Sequence, residues 1–256
     1  MSIINYTKTE LLAYVASRML EDGKSVFVGT GLPMIASMLA QRTFAPDLLI
    51  IFEAGGVGPK PPLLPISVGD SRTFYKSVSA SSMHDVMSQA QSGYIDFGFL
   101  GAAMIDKYGN LNTTVIGDWN KPKVRLPGSG GANDIGSFCF RNIIIMRQDK
   151  TKFVDSLPFI TTAGYIDGPD GRKKAGLPDG GPYRVITQLG VYGFDEETKK
   201  MKLISLHPGV TVEDVKQNSS MEIIIPSRID TSCEPSERDI KILREIDPQG
   251  LVIGNE

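Results

Sequence analysis

Leu11, Leu12, Val15, Ala16, Met19 and Leu20 recur at helical spacing behind a Thr7-x-x-Glu10 capping box, and Gly23 stops the pattern. This predicts an amphipathic first helix. The short apolar run Ser25–Val28 reads as a strand, Gly29-Thr30-Gly31 as a tight turn, and Pro33 as the start of a helix reaching about Arg42, since proline lacks only an N–H that is unpaired at a helix start. Leu48–Phe52 is apolar without interruption, as in a strand covered on both faces, and it ends at Glu53-Ala54-Gly55-Gly56.

Pro59–Pro65 predicts a surface loop, and Ser81–Gln91 a helix closed by Gly93. Strands are expected at Phe97–Leu100, Leu111–Val115 and Ile143–Met146, with a short helix after Gly128-Ser129-Gly130-Gly131. Strands alternating with helices imply an α/β domain with an open, mostly parallel sheet and helices on both faces. From Thr162 to Pro182 glycine and proline crowd the chain, the texture of a long ordered loop or lid. Beyond it Tyr183–Gln188, Leu203–Leu206 and Met221–Ile225 read as strands, and Ser236-x-x-Asp239 starts a last helix over Ile240–Ile246. There is no internal repeat, and residues 1–256 are expected to form a single domain.

Composition narrows the function. Hydrophobic residues make up 41% and charged residues 22% of 256, an ordinary globular profile. The net charge of −2 supplies no field to hold a polyanion, so nucleic acid is not an expected partner. The basic clusters Arg172-Lys173-Lys174 and Lys199-Lys200 with Lys202 read as solvated turns. Cys139 and Cys233 form neither a disulfide framework nor a zinc-ligand spacing, which fits a reducing cytoplasm. No apolar run approaches the ~18 residues of a membrane span, and the start of the chain has no apolar run behind a basic region.

Most candidate motifs fail on spacing. Gly23-Lys24-Ser25 lacks the P-loop glycine, because Arg18 stands there, and it precedes a strand. Gly29-Thr30-Gly31 has Met34 where a dinucleotide fingerprint needs its third glycine, though the helix start beside it suits an anion. Ser129 has no nucleophile-elbow pattern around it. His84 in a polar helix and His207 before Pro208 read as surface or turn histidines, and no metal is implied. Glu53 admits two readings: a loop carboxylate, or one held where ligands of parallel α/β sheets bind, with Gly55 and Gly56 letting substrate approach the backbone. Gly98-x-x-Gly101 and Gly128–Gly131 are likewise either tight turns or sources of exposed N–H donors for an oxyanion or phosphate.

An ordered set of further blocks runs over nearly the whole chain: Val28-Gly29-Thr30-Gly31-Leu32-Pro33, Ala45-Pro46-Asp47 ahead of Ile50-Ile51-Phe52-Glu53, Ser67-Val68-Gly69-Asp70, and Gly101-Ala102-Ala103-Met104-Ile105-Asp106. It continues through Tyr108-Gly109-Asn110, Ile116-Gly117-Asp118, Gly128-Ser129-Gly130-Gly131-Ala132-Asn133, Ile166-Asp167-Gly168-Pro169, Gly176-Leu177-Pro178 and Ile246-Asp247-Pro248. With these blocks the sequence resembles the family I CoA-transferases, most closely the B subunits of the glutaconate type. One departure is the proline-rich stretch to Pro65 that follows Ala54.

The resemblance implies an open α/β fold, Glu53 as the catalytic glutamate of a β-type subunit, and a separately encoded α-type subunit in a hetero-oligomer. It places an oxyanion-stabilising N–H near Gly101, and has Ala102, Gly128, Gly130, Gly131, Ala132 and Asn133 border the site. Gly29, Gly31, Gly55 and Gly56 complete the expected substrate and CoA contacts. Acyl-CoA and small carboxylic acids are the implied ligands, with coenzyme A as co-substrate and no permanently bound cofactor. Three readings follow: a CoA-transferase, an acyl-CoA hydrolase or decarboxylase on the same fold, and a non-catalytic ligand-binding or regulatory subunit. Retention of Glu53 argues against the second.

Overall fold

The computed structural model describes residues 5–254, which fall into two compact units, residues 5–99 with 233–254, and Leu100–Ser232. In the first unit the chain forms α1 (Lys8–Ser17), β1 (Ser25–Val28), α2 (Leu32–Thr43), β2 (Leu49–Phe52), β3 (Gly56–Val57), β4 (Ser79–Ala80), α3 (Met83–Gln91) and β5 (Phe97–Leu100). Its strands lie in the order β5-β1-β2-β3-β4. β1 pairs in parallel with both β5 and β2, whereas β3 and β4 add antiparallel rungs. Every residue of β1 and β5 is buried, as their uninterrupted apolar runs require.

Local signals fix the helix starts. The Thr7–Glu10 box forms in both directions, with the Glu10 N–H donating to Thr7 Oγ1 and the Thr7 N–H to Glu10 Oε2. Gly31, at φ +80°, is the residue before α2, and Pro33 lies in its first turn. A Ser82–Asp85 box starts α3 two residues later than the pattern predicts. The Pro59–Pro65 stretch is a loop, but only in part a surface one: Pro59, Pro61, Leu64 and Pro65 are buried, and the Leu64 N–H donates to Ile246 O at 2.8 Å.

The second unit contains β6 (Met104–Ile105), β7 (Leu111–Asn112), β8 (Val115–Gly117), β9 (Pro122–Arg125), α4 (Ala132–Phe138), β10 (Arg141–Ile145), α5 (Gly171–Lys174), β11 (Gly181–Ile186), β12 (Gly190–Phe194), β13 (Met201–Leu206), α6 (Val212–Gln217) and β14 (Asp230–Thr231). Its larger sheet runs β14-β13-β12-β11-β10, parallel at β10–β11 and β13–β14 and antiparallel through β11–β13; β6–β7 and β8–β9 are small hairpins. Together these sheets give the open, mostly parallel α/β architecture expected from the sequence, extended by antiparallel strands.

Several segments depart from expectation. Leu111–Val115 breaks after Asn112, whose side-chain oxygen accepts the N–H groups of Thr114 and Val115 while its amide donates to Val115 O, so a side chain takes the place of the ladder. Met221–Ile225 forms no strand: it touches β13 through one bridge, Lys202 to Ile224, and the edge position belongs to β14. β12 and α6 were not anticipated, although Thr211-x-x-Asp214 is a capping box that forms at the start of α6.

The chain then returns to the first unit as α7 (Glu237–Ile246), started by the expected Ser236–Asp239 box. Ile240, Leu243 and Ile246 are buried, and α7 packs on α1 and α2. Two charge contacts fasten it, Arg244 Nε to the buried Glu10 carboxylate at 2.7 Å and Arg18 to Asp239 at 3.4 Å. Among the described residues no helix is long and apolar enough to cross a membrane.

Candidate active site

β1 and β2 are paired with Val28 opposite Phe52, so the next residues, Gly29 and Glu53, leave the first unit's sheet at the same carboxyl edge. That edge is where ligands of parallel α/β sheets bind. Glu53 is half-buried in a turn closed by the Gly55 N–H to Phe52 O at 2.9 Å. Beside it, Gly29 and Gly31 have no described atom within 4 Å of where a Cβ would stand. Gly31 O accepts from the Met34 and Ile35 N–H groups, which sets the first turn of α2 directly behind this open ground.

The glycines that follow Glu53 serve a different need. Gly55 has φ +110°, and a Cβ there would lie 2.0 Å from Ser81 O; a Cβ on Gly56 would lie 2.1 Å from Thr73 O. Both positions are buried against the chain's own backbone, and the Ser81 N–H donates to Gly55 O at 2.9 Å. The turn carrying Glu53 is thus clamped from behind by residues 73–81, a support that composition does not reveal.

In the second unit Gly101 is exposed and Ala102 half-buried, just before the Ala103 N–H donates to Asn112 O at 3.2 Å and opens the β6–β7 hairpin. Thr113 then receives the Gly128 N–H at 2.9 Å on its carbonyl and donates Oγ1 to Gly128 O at 2.7 Å. Residues 101–104 and the Gly128 end of the glycine segment are therefore tied to adjacent positions, 112 and 113. Gly128 and Gly130 hold φ +95° and +50°. Gly131 is the residue before α4, and Ser129 braces the turn leading into it: its carbonyl accepts the Ala132 N–H and its Oγ the Asn133 N–H. Gly130 and Asn133 are exposed, and Gly131 and Ala132 half-buried.

Of the two histidines, His84 is exposed on α3 as expected. His207 is a correction: it is only 3% exposed, with Nε2 2.8 Å from Thr187 O and Nδ1 3.1 Å from Ser232 Oγ. Burial holds its pKa below the ordinary value of about 6.5. Pro208 disguised it as a turn residue, when it closes the end of β13. Among the described residues no group of three or more His, Cys, Asp and Glu is placed to hold a metal.

The sequence model of the family described as "Coenzyme A transferase" matches residues 9–218. The B subunit of 3-oxoadipate CoA-transferase from Pseudomonas knackmussii is 41% identical over 94% of each chain. The B subunit of glutaconate CoA-transferase from Acidaminococcus fermentans is 38% identical over 95% of this chain and 94% of its own. The crystal structure of glutaconate CoA-transferase from Acidaminococcus fermentans superposes with a TM-score of 0.93 at 37% identity, covering 98% of this chain and 99% of that one. The chain belongs to the coenzyme A transferase family. Within it the chain is of the B-subunit kind.

Proposed function

We propose that this chain is the β-type catalytic subunit of a two-subunit CoA-transferase, which moves CoA between an acyl-CoA and a free carboxylic acid through a thioester on Glu53. The observation that carries the reading is the placement of Glu53: a half-buried carboxylate at the carboxyl edge of two parallel strands, beside the open Gly29–Gly31 turn and the start of α2. Both relatives are named for dicarboxylic acids, which supports a small dicarboxylic acid as one substrate. Their naming as B subunits supports an α-type partner in a hetero-oligomer, with both compact units of this chain serving as one subunit domain, and cytoplasmic residence suits a pool of acyl-CoA.

In the proposed course a Glu53 carboxylate oxygen attacks the thioester carbonyl, the C–S bond breaks, and a mixed anhydride and CoA thiolate result. The thiolate then attacks the glutamyl carbonyl, the anhydride C–O bond breaks, and the first acid leaves as its carboxylate. Glu53 now carries CoA, and an acceptor carboxylate runs the steps in reverse. No net proton is exchanged. Clamping the turn from behind holds the nucleophile in place, and positioning of this kind contributes up to ~7–11 kcal/mol. In this reading Gly101 N–H stabilises the tetrahedral oxyanion, Ala102 and the segment Gly128 to Asn133 border the substrate, and Gly29 and Gly31 line the CoA approach, while Gly55 and Gly56, packed on residues 73–81, act only by holding the Glu53 turn.

The test is intact-mass measurement of this chain after incubation of the complex with acyl-CoA and no acceptor. The wild type gains the mass of CoA less one water, mapped to residue 53; Glu53→Ala gains nothing and loses exchange by several orders of magnitude. A label elsewhere, or wild-type exchange by Glu53→Ala, overturns the mechanism.

A further inference from the structure

The basic clusters that patterning assigns to solvated turns do not all face solvent. Arg172, Lys173 and Lys199 join Arg141 around a cleft of about 400 Å³ in the second unit, with Tyr165 and Tyr183 in its wall. Two acidic residues, Asp170 and Asp179, share the lining, so the cations exceed the acids by two. A cleft of this size lies within the ~300–1,000 Å³ range of small-ligand sites.

Arg172 is the unusual member. It is 6% exposed, and its guanidinium donates to the backbone carbonyls of Gly136, Ser137, Ala163, Gly164 and Pro178 at 3.0–3.4 Å. Carbonyls satisfy the donors without adding charge, and Asp179 in the same lining offsets the cation, so Arg172 stands in the wall as a fixed, partly balanced positive charge. Gly181, at φ +120°, passes close enough that a Cβ would stand 3.1 Å from Arg172 Cδ, so the start of β11 packs directly on the arginine stem. Opposite, Lys199 is held at φ +56° in the turn before β13, a conformation costly for a side chain other than glycine, and its ammonium lies 5.5 Å over the Tyr165 ring. Arg184 stacks on Tyr183 at 3.9 Å and adds a further cation beside this wall.

We infer that this cleft binds a phosphoryl-bearing anion of the kind carried by nucleotides. A fixed cation in the wall, lysines from two separate elements, α5 and the turn before β13, and four cations against two carboxylates suit a multiply charged phosphate better than a single carboxylate. The nucleotide end of CoA and a free nucleotide share this chemistry. The inference does not depend on Glu53.

The experiment is calorimetric titration of the full chain with inorganic pyrophosphate, ADP and CoA, for the wild type and for Lys173→Glu/Lys199→Glu. Pyrophosphate and ADP bind the wild type saturably, and the double variant binds them at least tenfold more weakly. Displacement of ADP by CoA assigns the site to the CoA nucleotide; ADP binding undisturbed by CoA assigns it to a free nucleotide, and both outcomes support an anion site. Absence of saturable pyrophosphate and ADP binding overturns the inference, as does equal binding by the double variant. The titration contains no acyl donor, so its outcome is separate from that of the Glu53 adduct measurement.

Discussion

Replacing Gly55 by alanine tests whether the clamp behind Glu53 is what holds it. The new Cβ would stand 2.0 Å from Ser81 O, a backbone atom that cannot swing aside, and φ +110° is strained for any L side chain. The conformation costs ~1–3 kcal/mol, forced displacement of packed backbone a further ~1–3 kcal/mol, and loss of the Ser81–Gly55 hydrogen bond about 1 kcal/mol. An overall loss of about 3–7 kcal/mol would remove a large part of the ~5–15 kcal/mol that folded chains of this kind possess. Denaturant melts of three variants provide the scale. Gly29→Ala, with open space and no positive φ, stays within ~0.5 kcal/mol of wild type, as ordinary surface changes do. Gly31→Ala, at φ +80° but also in open space, loses the conformational cost alone, ~1–3 kcal/mol. Gly55→Ala falls furthest, and acyl exchange falls with it as the turn shifts. A Gly55→Ala chain that melts together with Gly29→Ala would refute the clamp.

Two further changes probe the second unit. Asn110 is fully buried, with its amide donating to Asp106 and Ile166 O and its oxygen accepting the Gly164 and Ile166 N–H groups; Asn110→Ala should cost about 3 kcal/mol and speed hydrogen exchange over residues 164–171, and unchanged exchange there would count against it. His207 binds a proton less readily when folded than when unfolded, because burial disfavours its charged form. Its contribution is therefore intact above the unfolded pKa of about 6.5 and declines as pH falls below it, by at most ~1.4 kcal/mol per pH unit. His207→Gln should flatten the stability profile below about pH 6.5, read from paired denaturant melts; an unaltered slope would rule the histidine out as its source.

What the sequence made legible was whatever is decided within a few neighbours. Thr7–Glu10 and Ser236–Asp239 form the boxes they spell, and the apolar runs at Ser25–Val28 and Leu48–Phe52 become buried strands because nothing else satisfies both faces. Glu53 was visible as the residue ending such a run. Its support was not, because Thr73 and Ser81 meet Gly56 and Gly55 only after the intervening loop folds back. Asn112 and His207 misled for a similar reason: one breaks a strand with its own amide, and the other looks like a turn residue until β13 and β14 bring Ser232 to its ring. The Arg172 cluster reads as solvated because charge runs usually are; carbonyls from its own loop, at Ala163, Gly164 and Pro178, together with those of the distant Gly136 and Ser137, are what bury its arginine.

The return of α7 to the unit begun by α1 has a consequence for biosynthesis. Translation at ~5–20 residues per second inserts the whole of Leu100–Ser232 between the two parts of that unit, a delay on the order of ten seconds. Throughout it the apolar surface that Ile240, Leu243 and Ile246 will cover on α1 and α2 stands bare, as do the charges of Arg18 and Glu10 awaiting Asp239 and Arg244. The nascent chain is therefore a client for chaperones until its last few turns leave the ribosome. A ribosome that stalls before Glu237 releases a polypeptide with most of its strands made and its first unit unable to close.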